Sequence, residues 1–366
     1  MEHLLERWRF IDAGAREAPE FFGRMPILAA TVATGGPQIM MTGMFGRGHF
    51  QIGWFEDIDA VMDLDAARAE HIEVFRRPVW GGGTAFYDTN ASALLSFFIH
   101  ADAYPTLDAA LEHFRPVMRR ALDDLGLQEA KFEGSSDIRW NGRKLGTLIT
   151  QAVLGTTVVG GFFNLRKPDL ELYAKVARVP EEKFKDKIIK DQVEYICTPG
   201  EVRGKDLPYE EFRNAVLAAA RKERMLAFDP TGFTAEEDVG TKGFVKTVSA
   251  EDWIRRVSSE RFKAHASPGA RVGFANVKAK KLVRAGVELN GDVITRAFVA
   301  GDMHVSPPES MDNVASALDG ASIADPDDLL ARVKKIFETI EQPDEAAGIT
   351  PEDVVETVLL AATNAR

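Results

Sequence analysis

Residues 76–88 read Arg-Arg-Pro-Val-Trp-Gly-Gly-Gly-Thr-Ala-Phe-Tyr-Asp, and this segment decides how the rest of the chain is interpreted. Three consecutive glycines cost backbone entropy, so they are expected where the main chain must approach a ligand closely. Such a loop presents N–H groups that can bind an anion, and the preceding Arg76 and Arg77 carry permanent positive charge. The segment therefore predicts a carboxylate or phosphate site, with a solvated surface turn as the alternative.

Strand-like and helix-like patterns alternate on both sides of this loop. Ile72 to Phe75 predicts a short strand that leads into the glycines, and Ala91 to Ile99 predicts a buried strand. Thr106 to Leu125 predicts a helix, because Thr106 is a favourable N-cap and apolar residues recur at helical spacing. Met25 to Thr34 is apolar throughout and fits either a helix or a buried strand.

A hairpin is predicted further along the chain. Asp137 to Trp140 and Lys144 to Leu154 are strand-like and flank the dipeptide Asn141-Gly142, which favours a tight turn. Phe162 to Leu165 predicts one more strand, and Pro168 to Val176 predicts a helix. Hairpins combined with helices are typical of an α+β domain.

The middle of the chain changes character, and a smaller module follows it. Pro208 to Lys222 predicts an amphipathic helix, whereas Asp229 to Gly243 shows no clear periodicity. The last hundred residues predict three strands and three helices, namely Val272–Val277, Lys281–Leu289, Val293–Ala300, Pro308–Leu318, Pro326–Ile340 and a final helix capped by Thr350.

These patterns predict an α+β fold with two domains and a connection between them. A large domain with a mixed β-sheet packed by helices is expected over residues 1–205. A helical extension or linker is expected over residues 206–266. A small C-terminal α/β domain is expected over residues 267–366.

Composition excludes several classes of function. The chain has 366 residues, with 45 basic against 56 acidic side chains, and its net charge of −11 argues against nucleic acid as a partner. The single cysteine, Cys197, excludes an intramolecular disulfide and a cysteine-built zinc site. The first residues, MEHLLERWRF, lack the apolar core of a signal peptide. No run reaches the roughly 18 apolar residues of a membrane helix. We therefore expect a cytoplasmic protein without a membrane partner.

Several motifs, taken in order, resemble the lipoate–protein ligases within the biotin/lipoate ligase superfamily. Arg77 to Asp88 resembles the family's Arg-Arg-x-Ser/Thr-Gly-Gly-Gly-Ala-Val-Phe/Tyr-His-Asp stretch, and Phe50 to Glu56 resembles Gln-Asn-Pro-Trp-x-Glu. Ser136 to Ile138 resembles Asn-Asp-Ile, and Gly142 to Gly146 resembles the start of Gly-x-Lys-Val/Ile-Ser/Ala-Gly. Gly301-Asp302-Met303 resembles the marker turn of the family's accessory domain.

The resemblance implies a ligase that uses ATP and Mg²⁺. Lipoate would attack the α-phosphate of ATP to form lipoyl-AMP, and a lysine of a lipoyl-domain acceptor protein would then take the lipoyl group. The cation between the two anions would be Lys144, and Asp137 would hold magnesium or the nucleotide. The remaining ligand-binding residues that the resemblance implies are Arg77, Trp80, Gly81, Gly82, Gly83, Tyr87, Lys183 and Lys187.

Departures from the family pattern leave alternatives open. Pro78 stands where the second arginine belongs, Trp80 where Ser or Thr belongs, and Tyr87 where His belongs. Thr147 stands where a glycine is usual, and matching Gly146 to that glycine instead would place Arg143, not Lys144, in the lysine position. The bulk of Trp80 raises the alternative of a different, aromatic acid with a non-protein acceptor. The departures together also raise a non-catalytic binding member of the fold.

Cys197 bears on a related branch of the superfamily. Octanoyltransferases and lipoyltransferases carry the acyl group on a cysteine, and the octanoyltransferases place it near what is here Val179-Pro180, where this chain has none. Cys197 instead lies in an apolar run, which favours a buried, inert thiol.

Overall fold

The protein is represented by a computed structural model that describes residues 6–78, 81–134, 136–178, 195–342 and 348–366. Its strands are β1 (Glu6–Arg16), β2 (Ile39–Phe45), β3 (His49–Ile52), β4 (Glu73–Arg76), β5 (Ala85–Tyr87), β6 (Ser92–His100), β7 (Lys131–Glu133), β8 (Asp137–Trp140), β9 (Arg143–Thr147), β10 (Ile149–Val153), β11 (Thr156–Asn164), β12 (Leu226–Thr231), β13 (Arg271–Lys278), β14 (Leu282–Asn290) and β15 (Val293–Gly301).

Helices connect and cover these strands. They are α1 (Ala18–Ala33), α2 (Ile58–Val61), α3 (Leu64–Ala69), α4 (Leu107–Asp124), α5 (Leu170–Val176), α6 (Pro199–Arg203), α7 (Tyr209–Arg224), α8 (Ala235–Val248), α9 (Glu251–Ile254), α10 (Ser259–Ala264), α11 (Ser310–Leu318), α12 (Pro326–Phe337) and α13 (Pro351–Thr363).

The chain divides into two compact units, and the first contains a large mixed sheet. This unit comprises Met1–Phe50, Phe86–Glu171 and Ile189–Ser249. Its described strands have the order β12-β1-β2-β6-β11-β9-β8-β7, and β10 pairs with β11 outside this path. The β1 strand is parallel to β12 and β2, whereas β6 is antiparallel to β2 and β11.

Helices bury both faces of this sheet. Strand β6 is buried along almost its whole length, which explains its continuous apolar sequence. On one face, Leu111, Phe114 and Met118 of α4 pack into a core with Phe97 of the sheet. Helix α1 packs against β2, β6 and β11, where Met25 accepts a hydrogen bond from Ser96.

The second unit comprises Gln51–Ala85, Leu172–Ile188 and Ala250–Arg366. Its largest sheet is the antiparallel meander β13-β14-β15. Helices α11 and α13 pack on this meander and α12 packs on both of them, so that Val287 shares a core with Val314, Leu329 and Val358. The chain also has a short sheet with the strand order β4-β3-β5, and the bounds of the units fall within β3 and β5.

The predicted α+β class is confirmed, and so are most of the predicted elements. The side chain of Thr106 caps α4 as predicted. The turn between β8 and β9 contains Asn141 and Gly142, both with positive φ. Thr350 caps α13 through a reciprocal capping box with Asp353. The ambiguous apolar run Met25 to Thr34 belongs to helix α1.

Some elements differ from the prediction. The predicted strand from Lys144 to Leu154 is divided at Leu148 into β9 and β10, and β11 begins at Thr156 rather than at Phe162. Strand β1 and helix α8 were not predicted. The linker predicted over 206–266 includes α7 and β12, which pack within the first unit. The three domain ranges stay a prediction, since the compact units are groups of segments rather than contiguous ranges. No helix in the described part of the chain is long and apolar enough to cross a membrane.

Candidate functional site

Lys144 and Asp137 form an ion pair on the β8–β9 hairpin. The two strands are antiparallel, and a register shift between Ile138 and Arg139 marks a bulge of the kind that re-aims side chains. The Lys144 Nζ atom lies 2.7 Å from Asp137 Oδ1, and the two side chains are 21% and 19% exposed. The pair is therefore shielded from bulk solvent but still reachable by a ligand.

A second cation, Arg139, engages the other oxygen of Asp137. Its Nη2 atom donates to Asp137 Oδ2 and also donates to the Tyr195 hydroxyl over 2.7 Å. Burial would raise the pKa of Asp137, but the charges and hydrogen bonds of Lys144 and Arg139 outweigh it and hold that pKa at about 2. Asp137 is therefore a carboxylate at neutral pH, with a cation on each oxygen.

Aromatic rings border the Lys144 ammonium. Lys144 Nζ lies 5.5 Å from the centroid of the Phe162 ring, within the range of a cation–π contact. Tyr87 packs edge-to-face on Phe162, with ring centroids 5.0 Å apart, and also packs against Phe45 and His49. Tyr87, at the position of the family's histidine, is thus a buried member of this aromatic cluster.

Arg143, the alternative candidate for the key cation, is engaged elsewhere. It forms an ion pair with Glu201, and its Nη2 atom donates to the Ile196 carbonyl oxygen. Lys144, rather than Arg143, is the residue that pairs with Asp137. This difference favours Lys144 as the cation of the candidate site.

The main chain of Cys197 is hydrogen-bonded to that of Lys144, but the Cys197 side chain has the surroundings of a structural residue. Its N–H donates to the Lys144 carbonyl oxygen, and the Asn164 side chain donates to the carbonyls of both residues. The Cys197 side chain is fully buried, and this burial raises the pKa of its thiol to about 11. The thiol is therefore protonated at neutral pH, which supports the prediction of an inert cysteine.

The glycine loop belongs to the second unit. Arg77 is buried, and its Nη2 atom donates to the carbonyl oxygens of Gly81 and Gly83. The Gly82 N–H donates to the Met303 carbonyl oxygen over 2.9 Å. A Cβ atom on Gly81 would lie 2.0 Å from that same oxygen. The group that the loop approaches is thus the Gly-Asp-Met turn of the same chain, and binding of a carboxylate or phosphate by this loop stays a prediction.

Gly53, in the upstream motif, is also a glycine because another segment of the main chain lies against it. A Cβ atom on Gly53 would lie 1.8 Å from the Gly82 carbonyl oxygen, so a side chain at position 53 would overlap with that segment.

Three residues of the predicted site, Trp80, Lys183 and Lys187, lie outside the described residues. The roles of the predicted site residues stay predictions.

Arg76 has a structural role that the sequence did not reveal. Its guanidinium is fully buried and donates to five backbone carbonyl oxygens, those of Gly53, Trp54, Glu56, Ile254 and Val257. Burial lowers the pKa of Arg76 to about 9, so it stays charged at neutral pH. These contacts fix Arg76 in the backbone scaffold.

Asp137 is also the residue predicted to bind Mg²⁺. Its carboxylate is ionised and partly exposed, as a magnesium ligand must be. Both of its oxygens contact a cation of the chain, so Asp137 could hold Mg²⁺ only in exchange for one of these ion pairs. Across the described ranges no group of three or more His, Cys, Asp or Glu side chains could hold a metal ion. One carboxylate together with substrate phosphates is nevertheless a common Mg²⁺ ligand set.

Two functional candidates, Arg139 and Tyr195, were missed from the sequence. Arg139 follows Asp137 by two residues, a spacing that places alternate side chains of a strand on one face. That spacing was a usable signal. Tyr195 is distant from Asp137 along the chain and only the tertiary structure brings them together.

Comparisons with known proteins agree with this fold. Residues 45–221 match the family model of the lipoyl protein ligase A/B catalytic domain. LipL1 of P. falciparum, solved in complex with lipoate, has a TM-score of 0.71 at 12% identity, covering 96% of this chain and 99% of that one. No curated protein matches the chain in sequence.

Two other solved ligases match with shorter coverage. A lipoate-protein ligase A bound with ATP has a TM-score of 0.57 at 17% identity, covering 69% of this chain and 99% of its own. A bipartite lipoate protein ligase of Thermoplasma acidophilum, described with its E2 lipoyl domain, has a TM-score of 0.57 at 20% identity, covering 69% and 97%. The family model matches residues 45–221, just under half of the chain, and the chain has the fold of the solved lipoate–protein ligases.

Proposed function

We propose that this protein is an ATP-dependent lipoate–protein ligase. One observation carries the proposal: the Lys144 ammonium is paired with Asp137 at a partly exposed position, inside the segment that matches the catalytic domain of the family. The similar proteins solved with lipoate and with ATP support these two compounds as substrates.

Lys144 would bring two anions together. The carboxylate of the acid and the α-phosphate of ATP repel one another, and a fixed cation between them lowers the cost of their approach. The carboxylate oxygen would form a bond to the α-phosphorus as the bond to the bridging oxygen breaks, releasing pyrophosphate. Lys144 would exchange its ion pair with Asp137 for contacts with these anions.

The second half-reaction would transfer the acyl group to an acceptor amine. The amine nitrogen would bond to the carbonyl carbon, the carbon–oxygen bond to AMP would break, and the amine would lose a proton. A lysine of a lipoyl domain is the proposed acceptor, supported by the lipoyl domain described with the T. acidophilum ligase. When bound, Mg²⁺ would neutralise charge on the triphosphate, and Asp137 is the residue we propose to hold it.

Exchange of labelled pyrophosphate into ATP tests the proposal, with lipoate, octanoate and a set of aromatic acids as alternatives. We expect lipoate-dependent exchange that Lys144→Met reduces at least about 100-fold. Lys334→Met is the matched control, because Lys334 also pairs with a carboxylate, that of Glu352, in an exposed position.

Each alternative gives a different result. Exchange that depends on an aromatic acid, and not on lipoate, would show the same chemistry with another substrate. No exchange with any acid, despite binding of ATP or lipoate, would show a non-catalytic member of the fold. Lipoate-dependent exchange that persists in Lys144→Met would contradict the role of Lys144.

A further inference from the structure

The two cations on Asp137 are held very differently. Lys144 reaches the carboxylate through a flexible chain and makes an ion pair of 2.7 Å with Oδ1. Arg139 is fixed from several sides at once. Its Nη1 atom donates over 2.7 Å to the carbonyl oxygen of Gly142 in the hairpin turn, and its Nη2 atom donates to both Asp137 and Tyr195.

Further contacts restrict the Arg139 guanidinium. It stacks 4.9 Å from the centroid of the Tyr195 ring, and its Nε atom lies 3.9 Å from Glu133 Oε2. The Tyr195 hydroxyl also lies 3.5 Å from Asp137 Oδ2, so tyrosine, arginine and carboxylate meet at one point. Arg139 is only 16% exposed, which strengthens these interactions relative to a surface pair.

This asymmetry has a consequence for the proposed reaction. If Lys144 moves to the substrate anions, Asp137 loses one of its two cations. A carboxylate with no partner in a partly buried site would shift toward solvent or draw Lys144 back. The fixed guanidinium of Arg139 prevents both, because it holds Oδ2 in place without leaving the hairpin.

We propose that Arg139 is a positioning residue for the ligase reaction: clamped by Tyr195 and the hairpin turn, it keeps the Asp137 carboxylate in place and so allows Lys144 to transfer to the substrate anions. The proposal rests on the proposed function. Arg139 acts through Asp137 and does not itself contact the substrates. Tyr195 supports the orientation of Arg139.

Steady-state pyrophosphate exchange with lipoate tests this role through the separation of kcat from KM. Arg139→Met removes the charge, and we expect kcat to fall about 10- to 100-fold with a change of less than about threefold in the KM for ATP. Arg139→Lys is expected to recover part of kcat, because an ammonium can pair with Asp137 but cannot also reach Gly142 and Tyr195. Tyr195→Phe, which removes only a hydroxyl, is expected to lower kcat about two- to tenfold.

A double-mutant comparison shows whether Arg139 acts through Asp137. We expect Asp137→Asn combined with Arg139→Met to be no slower than Asp137→Asn alone. Arg120→Met is the control, because Arg120 pairs with Asp124 on the partly exposed face of α4. Circular dichroism and the melting temperature of each variant identify any loss of kcat that comes from unfolding.

The outcomes separate this proposal from the proposed function. Absence of lipoate-dependent exchange in the unaltered protein would overturn the proposed function, and the role of Arg139 with it. If exchange occurs, an unchanged kcat in Arg139→Met overturns the Arg139 proposal alone. A raised KM for ATP with unchanged kcat, or additive losses in the double variant, would make Arg139 a substrate-binding cation and overturn it too.

Discussion

The N–H of Gly82 donates a 2.9 Å hydrogen bond to the carbonyl oxygen of Met303, joining the glycine loop to the Gly-Asp-Met turn through main-chain atoms. The adjacent Gly81 approaches the same carbonyl so closely that no side chain fits between them. Two segments that are more than 200 residues apart in the sequence are therefore held together by a main-chain contact that leaves no room for a side chain at position 81.

We expect Gly81→Ala to destabilise the protein because its Cβ atom would lie 2.0 Å from the Met303 carbonyl oxygen. Backbone must move to relieve this overlap, at a cost of about 2–3 kcal/mol in the free energy of unfolding. Urea denaturation followed by circular dichroism measures the change. Gly243→Ala is the control, because Gly243 lies in helix α8 with open space around it. There alanine should stabilise the helix by up to about 1 kcal/mol. Equal effects at the two sites would contradict this account.

Arg76→Lys is expected to be strongly destabilising although it keeps the charge. A lysine ammonium has three donors on a flexible chain and cannot satisfy five carbonyl oxygens arranged around a planar guanidinium. We expect a loss of about 3 kcal/mol or more in the free energy of unfolding, measured by thermal and urea denaturation.

Arg68→Lys provides the comparison for Arg76. Arg68 pairs with Asp65 at the surface, with its side chain 67% exposed, and its replacement should change stability by less than about 0.5 kcal/mol. A loss of stability in Arg76→Lys no larger than in Arg68→Lys would show that the carbonyl contacts of Arg76 contribute little.

Cys197 should resist alkylation in the native protein. Burial raises the pKa of its thiol to about 11, so at pH 8 only about one thiol in a thousand would be the reactive thiolate. We expect iodoacetamide to label Cys197 in urea but not under native conditions, as measured by mass spectrometry of the intact chain. We also expect Cys197→Ala to retain lipoate-dependent exchange. Rapid native labelling, or exchange lost without unfolding, would revive Cys197 as a nucleophile.

The sequence predicted the C-terminal module well because its signals are local. The Thr350 cap specifies the start of α13 within a few residues, and the dipeptide Asn290-Gly291, a sequence that favours a tight turn, stands where β14 ends and β15 follows. The pairing of Lys144 with Asp137 was not predicted as a contact, although both residues were chosen. It depends on the register shift within the β8–β9 hairpin, which a pattern of residue types does not encode.

Helix α8 and strand β1 escaped prediction for a shared physical reason. The buried face of α8 includes Glu237 and Thr241, so the helix lacks an apolar stripe. Glu237 pairs with Arg9, which is buried on β1 and interrupts the apolar pattern of that strand. A buried ion pair places a charged residue on the buried face of each element, so neither element shows a continuous apolar pattern. Which two charged residues pair with one another becomes evident only from the fold.

This buried pair leads to a prediction about pH. Burial would raise the pKa of Glu237, but hydrogen bonds from Arg9 and from the Thr234 backbone outweigh it and lower that pKa below its ordinary value of 4.5. A carboxyl group with a lowered pKa in the folded state stabilises the protein fully above its unfolded-state pKa. That stabilisation is lost as the pH falls below about 4.5 toward the folded-state pKa.

Glu237→Gln should therefore destabilise the protein at pH 7 by about 3 kcal/mol, since Arg9 would be left as a buried charge without its carboxylate. The loss should become smaller between pH 5 and pH 3 because the unaltered protein loses the same interaction there. Urea denaturation at several pH values measures both effects. Glu236→Gln is the matched control, because Glu236 precedes Glu237 on the same helix and is exposed. A destabilisation by Glu237→Gln that stays constant from pH 7 to pH 3 would show that the ion pair with Arg9 does not contribute the stability assigned to it.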